Sequence, residues 1–271
     1  MNIKKKLFCP ICFKRKYKLE FQYDCKPEIE VDFGISKKNY NRAYFSCNNC
    51  LHWFSNVEIN LKKFYSSDYV SKTYNINFLN KFKKIINLPK NKSDNYFRVQ
   101  RIKNFLYEKN IKNPKILDVG SGLGVFPYFM KKKGFNIYAL DPDILMQTHL
   151  KKNLKIKTIF KNFLKIKEKN FDLITFNKVL EHVENPFQFL KKSKNILKNR
   201  SNSFLYIELP DINIAKKISK NREEFTIEHI HGFTESSIFK LLDLSGYEVL
   251  KFERILEPSN KLTFYVFCRS K

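Results

Sequence analysis

Short apolar runs separated by stretches of helical period recur through the second half of the chain. Ile116, Leu117 and Val119 suit a buried strand, and Asn136-Ile137-Tyr138-Ala139-Leu140 reads as a second. Further runs place strands at roughly 157 to 160, 171 to 176, 203 to 209, 247 to 255 and 261 to 269, with helical patterns between most of them. Such alternation predicts an α/β fold built on a doubly wound sheet. The last two runs are joined by Glu257-Pro258-Ser259-Asn260, which predicts a hairpin and so an antiparallel final strand. Upstream, Phe97, Ile102, Phe105 and Leu106 recur at near-helical spacing and predict a helix over 94 to 110; Asn113-Pro114 then ends a linker.

The first of these strands runs into a glycine cluster, Asp118-Val119-Gly120-Ser121-Gly122-Leu123-Gly124, which holds three of the chain's seven glycines within five positions. Glycines there let the backbone turn tightly and approach a ligand before a helix opens near Val125. By itself G-x-G-x-G is a weak signal, so the next acidic residue decides. Asp141 ends the second strand about 20 residues later, where a carboxylate can accept hydrogen bonds from both ribose hydroxyls. A nucleotide-like ligand is expected.

At 271 residues the chain has length for one ordinary domain and a smaller one. Its net charge of +26 would ordinarily point to nucleic acid, but the cations are 44 lysines and only 8 arginines, spread in short groups. Arginine is the bidentate reader of phosphate and guanine, so its scarcity makes nucleic acid the weaker partner class. Abundant Asn, Ile and Phe suggest a coding bias that makes lysine the default solvated residue. Diffuse charge of this kind can still attract a phosphorylated substrate, an effect that fades with salt. No apolar stretch reaches the ~18 residues of a membrane span. Leu7 to Phe13 is interrupted by Pro10 and followed by Lys14-Arg15-Lys16 without a cleavage site, so a cytoplasmic protein is expected. There is no internal repeat and no low-complexity tail.

Four of the six cysteines form two C-x-x-C pairs, Cys9/Cys12 and Cys47/Cys50. In a cytosolic chain this spacing favours tetrahedral zinc over disulfides. Four thiolates would close the coordination shell, making the metal structural and leaving catalysis to other residues. Cys25 and His52 fit the paired spacing less well, and Cys268 reads as a small core residue.

The glycine segment followed by Asp141-Pro142 resembles motifs I and II of class I S-adenosylmethionine-dependent methyltransferases. Phe171 to Pro186, with Leu180-Glu181-His182-Val183 inside it, is similar to the fourth strand and following segment of small-molecule enzymes in that superfamily, and Glu228-His229-Ile230-His231-Gly232-Phe233-Thr234 continues the match. The resemblance spans roughly residues 95 to 271. It implies a Rossmann-like seven-stranded sheet with an antiparallel last strand, and S-adenosylmethionine as cofactor. Asp118, Gly120, Ser121, Gly122, Asp141 and Pro142 would bind it. Asn162-Phe163 would hold the adenine, with Asn in place of the usual acid, and Asn177 would line the methionine end.

Methyl transfer needs an aligned acceptor and a base for the acceptor's proton. The resemblance to sugar C-methyltransferases points to His229 as base with Glu228 assisting, and to His182 as the competing base. An imidazole near its ordinary pKa of ~6.5 would be largely neutral at cytosolic pH. The segments Tyr44 to Phe54 and Phe64 to Tyr69 resemble the zinc-ribbon lead-in of bacterial sugar and natural-product methyltransferases, which implies a substrate-facing role around Tyr65 and Tyr69. The expected organisation is a zinc ribbon over 1–62, a helical linker and lid over 63–112 and a methyltransferase domain over 113–271. After the fourth strand there is neither the Asn/Asp-Pro-Pro-aromatic pattern of amine methylation nor a Pro-Cys nucleophile. Oxygen or carbon is therefore the expected acceptor atom, and the resemblance implies a small molecule such as a sugar, nucleotide sugar or surface-glycan precursor. RNA methylation and a non-catalytic cofactor-binding scaffold are the alternatives.

Overall fold

A computed structural model describes residues 7–30, 40–56, 77–199 and 202–271. The segment around Tyr65 and Tyr69 lies outside the described residues. In chain order the strands are β1 (Tyr17–Tyr23), β2 (Arg42–Cys47), β3 (Trp53–Ser55), β4 (Lys115–Val119), β5 (Asn136–Leu140), β6 (Lys157–Ile159), β7 (Leu173–Asn177), β8 (Phe204–Pro210), β9 (His231–Gly232), β10 (Tyr247–Leu256) and β11 (Leu262–Ser270). The helices are α1 (Phe78–Ile86), α2 (Asp94–Glu108), α3 (Val125–Lys132), α4 (Ile144–Thr148), α5 (Pro186–Ile196), α6 (Ile212–Ile218) and α7 (Glu235–Leu244), with short 3-10 or π turns between.

Seven strands form the main sheet in the order β10-β11-β8-β7-β4-β5-β6. Its four pairings from β8 to β6 obey the expectation of parallel β-α-β units, with β4 flanked by β5 and β7. The antiparallel member is β11, inserted between β8 and β10. All seven expected strands are present with ends shifted by one or two residues. The largest shift is at β7, because Phe171 makes only an isolated bridge to Leu197 before the ladder begins.

Both faces of the sheet are covered, which is why β7 and β8 read as continuous apolar runs and not as alternating ones. On one side α2 lays Val99, Ile102, Phe105 and Leu106 against Phe204 and Phe267, and the Phe105 and Phe267 rings stack at 3.8 Å. Phe97, which the periodicity had placed with this face, is 39% exposed. From the N-terminal half of α2, Arg98 and Arg101 pair with Glu208, which is fully buried on β8. Helix starts follow local chemistry: Ser93 caps α2, Asn185 with Pro186 opens α5, and Thr234 with Ser237 forms a capping box on α7.

A second sheet has the order β1-β2-β3-β9. Three of its strands come from the first 55 residues and the fourth from beyond residue 230, so the N-terminal segment is joined to the catalytic part by backbone pairing. Among the described residues, no helix is long and apolar enough to cross a membrane.

Candidate active site

The site starts from the β4 turn. Gly120, Gly122 and Gly124 all take positive φ, and a Cβ on Gly120 would stand 2.6 Å from Val179. Glycine is thus required by both conformation and space. The Gly122 N–H donates to Asp141 Oδ2 at 2.7 Å, and the Asp143 N–H donates to Oδ1 at 3.0 Å. The ribose candidate is therefore tied to the glycine loop by its own backbone. Asp118 lies under the loop, where Oδ1 accepts from Thr175 and from Asn177 Nδ2, both at 2.7 Å. Burial raises both aspartates to about 6 against their hydrogen-bond donors. Asn177 spends its amide N–H on Asp118, which leaves its Oδ1 buried without a partner.

A cavity of about 1600 Å³ opens over these residues and is also lined by Pro142, Asn162 and Phe163. Asn162 caps a 3-10 turn, its Oδ1 accepting from Leu164 N–H at 2.9 Å. The Phe163 ring is 2% exposed and packs against Phe176 and Phe189, so it serves the core as well as the cavity wall.

The same cavity is also lined by Lys178, Glu181, His182, Glu228 and His229. One ligand-type atom from each of Glu181, His182 and His229 lies within 4.8 Å of the others, and the two imidazole rings are 4.6 Å apart. His182 Nδ1 donates to the Glu228 carbonyl at 3.0 Å, since a carbonyl can only accept. His229 Nδ1 is buried with no partner. An ordinary imidazole pKa was expected for His229. Instead burial lowers it to about 4, and lowers His182 to about 3 with help from the neighbouring His229. Both rings are neutral at pH 7 but are weaker bases than the sequence implies.

Glu181 lies within the Leu180-Glu181-His182-Val183 motif, but sequence reasoning does not single it out as a site residue. Its side chain is buried, both carboxylate oxygens lack partners, and burial raises it to about 8. The signal available in the sequence was an acid directly after Val179-Leu180, a charge set in an apolar run. Lys178 at the β7 end has φ 58°, a strained conformation for a residue with a Cβ, and burial lowers its pKa. Glu228 Oε2 is also buried and unpartnered.

None of the four paired cysteines lines this cavity. Their sulfurs form a separate cluster, with Cys9 to Cys50 at 3.6 Å and Cys12 to Cys47 at 3.4 Å. Tetrahedral zinc with Zn–S near ~2.3 Å would set sulfurs about 3.8 Å apart, so the cluster is compatible with a zinc ribbon. The N–H groups of Ile11 and Asn49 donate to Cys9 and Cys47 sulfur at 3.4 Å, which favours thiolates. The Cys50 thiol donating to Cys9 lowers the latter to about 6. Cys25 is exposed and Cys268 is buried in β11, outside the cluster.

A methyltransferase-domain family model matches residues 93–251, more than half of the chain. The chain belongs to the class I S-adenosylmethionine-dependent methyltransferases. The ubiquinone biosynthesis O-methyltransferase of Rickettsia typhi is 34% identical over 111 residues, covering 35% of this chain and 42% of that protein. The corresponding Pelagibacter ubique protein is 32% identical over 121 residues, covering 41% and 50%. The chain thus spans about half the length of the curated relatives it matches. Among solved structures, magnesium protoporphyrin IX methyltransferase from Synechocystis with bound S-adenosylhomocysteine superposes with a TM-score of 0.58 at 13% identity, covering 75% of this chain and 99% of that one. A possible histamine N-methyltransferase from Thermotoga maritima gives 0.55 at 16% identity, covering 75% and 99%. At such identities these two speak for the fold alone. For a methyltransferase of this class, the orphaned Asn177 oxygen and the Asp141 carboxylate beside the glycine loop fit S-adenosylmethionine, whose ammonium and ribose hydroxyls each need an acceptor.

Proposed function

We propose that this methyltransferase alkylates oxygen or carbon of a polar, hydroxylated small molecule, with a sugar, nucleotide sugar or glycan precursor as the leading class. The observation that carries the reading is the gathering of Glu181, His182, Glu228 and His229 in a cavity that the glycine loop also lines. The cavity exceeds the ~300–1,000 Å³ usual for one small ligand, as a site for cofactor and acceptor together requires. Charged and polar residues dominate the reacting end, so an apolar acceptor would leave several of them without partners or solvent.

In this reading Asp141 accepts from the ribose hydroxyls, Asn177 Oδ1 accepts from the cofactor ammonium, Gly120, Ser121 and Gly122 cradle its methionine end, and Pro142, Asn162 and Phe163 flank the adenine. S-adenosylmethionine supplies an activated methyl group on a sulfonium. His229 Nδ1 takes the acceptor proton, with Glu228 stabilising the imidazolium that forms. His182, oriented by the Glu228 carbonyl, supports the second ring. Glu181, protonated near neutrality, can both donate to and accept from acceptor hydroxyls. Residues 1–62 form a structural zinc ribbon on Cys9, Cys12, Cys47 and Cys50, residues 63–112 a linker and lid, and residues 113–271 the catalytic domain. A cytoplasmic setting suits these reduced thiols.

The names of the curated relatives support a second reading, O-methylation of a quinone precursor. Incubation of cell fractions with purified protein and methyl-labelled S-adenosylmethionine separates the two. Label in a sugar-nucleotide or polar-metabolite fraction is expected; label in solvent-extractable quinones would establish the second reading, and label confined to RNA would overturn both.

A further inference from the structure

Glu228 and His229 stand on the loop of residues 226–231, and much of what holds that loop comes from the N-terminal sheet. The Tyr44 hydroxyl, on a ring 1% exposed, reaches two loop carbonyls, Thr226 O at 3.0 Å and His229 O. Glu30 accepts from the Ile227 N–H at 2.8 Å. Glu30 is itself fixed from behind by the Tyr40 hydroxyl at 2.6 Å and by Arg42 Nη2 at 3.0 Å, all buried. The Ser55 N–H donates to Ile230 O at 3.1 Å, and Trp53 and Phe54 pair with Gly232 and His231.

A chain of imidazoles adds direction. His231 Nε2 donates to the Val183 carbonyl at 3.0 Å, so the Nδ1 of its neutral ring accepts from His52 Nε2 at 3.0 Å. The His231 N–H meanwhile donates to Glu181 O at 3.1 Å. His52 is in turn placed by the cysteine turn, where the Cys47 N–H donates to its carbonyl at 2.8 Å. The seam is tight, since a Cβ on Gly232 would stand 2.9 Å from Trp53 Cβ and 2.8 Å from Ile212.

We propose that the N-terminal sheet is the positioning device of the reaction, with Glu30, Tyr44 and His52 as positioning residues that set where Glu228 and His229 meet the acceptor. The proposal rests on the reading of His229 as the base. It gives the N-terminal segment a function beyond carrying a metal: two of the loop's backbone carbonyls share the Tyr44 hydroxyl proton and one loop N–H donates to Glu30, both side chains buried and almost 200 residues earlier in the chain.

The test is Tyr44→Phe, which keeps the ring and removes the hydroxyl, with Glu30→Gln as the second variant. The full chain saturated with S-adenosylhomocysteine is measured by amide exchange and by proton NMR of its five histidines. Losing one such bond is worth about tenfold in local opening, so exchange at Ile227, His229 and His231 should accelerate about tenfold in Tyr44→Phe and less in Glu30→Gln. The His229 ring resonance should titrate closer to an ordinary imidazole as the loop admits water, while His149 and S-adenosylhomocysteine affinity stay unchanged. Unchanged loop exchange and an unchanged His229 resonance in both variants would overturn the proposal. Failure of the base assignment reads out elsewhere, as methyl transfer retained by His229→Ala.

Discussion

At the glycine-loop end of the cavity, Asp118 accepts from Thr175 and Asn177, and Asp141 accepts from Gly122 and Asp143. At the reacting end, Glu181 has neither oxygen engaged, and His229 Nδ1 and Glu228 Oε2 have no partner. The difference separates two tasks. Under the proposed function, the cofactor would meet groups already engaged with one another at the ends of β4, β5 and β7, and the acceptor would meet groups whose bonding capacity is open, two of them on a loop steadied by a different sheet. Unpartnered buried polar groups cost about 1–3 kcal/mol each, so their concentration at one end marks where a ligand must bring partners.

The comparison breaks most sharply at Gly120. Gly120→Val combines positive φ with a clash on Val179 and should lower S-adenosylhomocysteine affinity by more than about 100-fold, read by calorimetry. His229→Ala should leave that affinity within about threefold while lowering methyl transfer by ~10²–10⁴-fold, measured with the labelled cofactor. Full activity in this variant would remove the base and leave the reacting end without its central group. Asn177→Ala sits between the two ends and takes away the orphaned oxygen; S-adenosylhomocysteine should bind about tenfold more weakly, and unchanged binding would take Asn177 out of the cofactor site.

The smallest effect concerns pH. Glu181 has a folded pKa raised to about 8, above its unfolded value, so its contribution to stability is present at low pH and is lost as pH rises toward 8. The buried histidines His182, His229 and His231 act in the opposite sense: their folded values lie below the unfolded ~6.5, so they destabilise the native state only as pH falls below that value. Between pH 6.5 and 8 Glu181 should cost ligand-free protein on the order of 1 kcal/mol of stability, opposed by Cys9, whose value lowered to about 6 adds stability over the same range. Glu181→Gln should remove the Glu181 part, so that its melts gain stability relative to the parent as pH rises from 6.5 to 8, and identical pH slopes in variant and parent would mean that Glu181 is ionised throughout.

Much of this molecule is written locally. The strands of the main sheet are apolar runs bounded by turn residues, and a positive φ at Gly120 is a demand that only a few residue types meet, so β4, its turn and Asp141 were readable from spacing. The four cysteines were readable for the same reason, because each pair needs only one turn of chain to bring its sulfurs to a shared centre. Helix α2 was readable in extent but not in full orientation: Phe97 fits the period yet faces outward, since the amphipathic face is narrower than the run of apolar residues. His229 could be singled out from its motif, but its lowered pKa could not, because desolvation depends on what surrounds the ring and not on its neighbours in sequence.

By itself, then, the sequence determined the strands, the glycine cradle with its carboxylate, and the paired thiols, because each is set within one strand, one β-α-β unit or one turn of chain. Only the tertiary structure decided that Glu181 is stranded without partners, that His182 and His229 face each other, and that β3 pairs with β9. Those outcomes require segments some 50 to almost 200 residues apart to meet, and such meetings follow from the burial and topology of the whole chain.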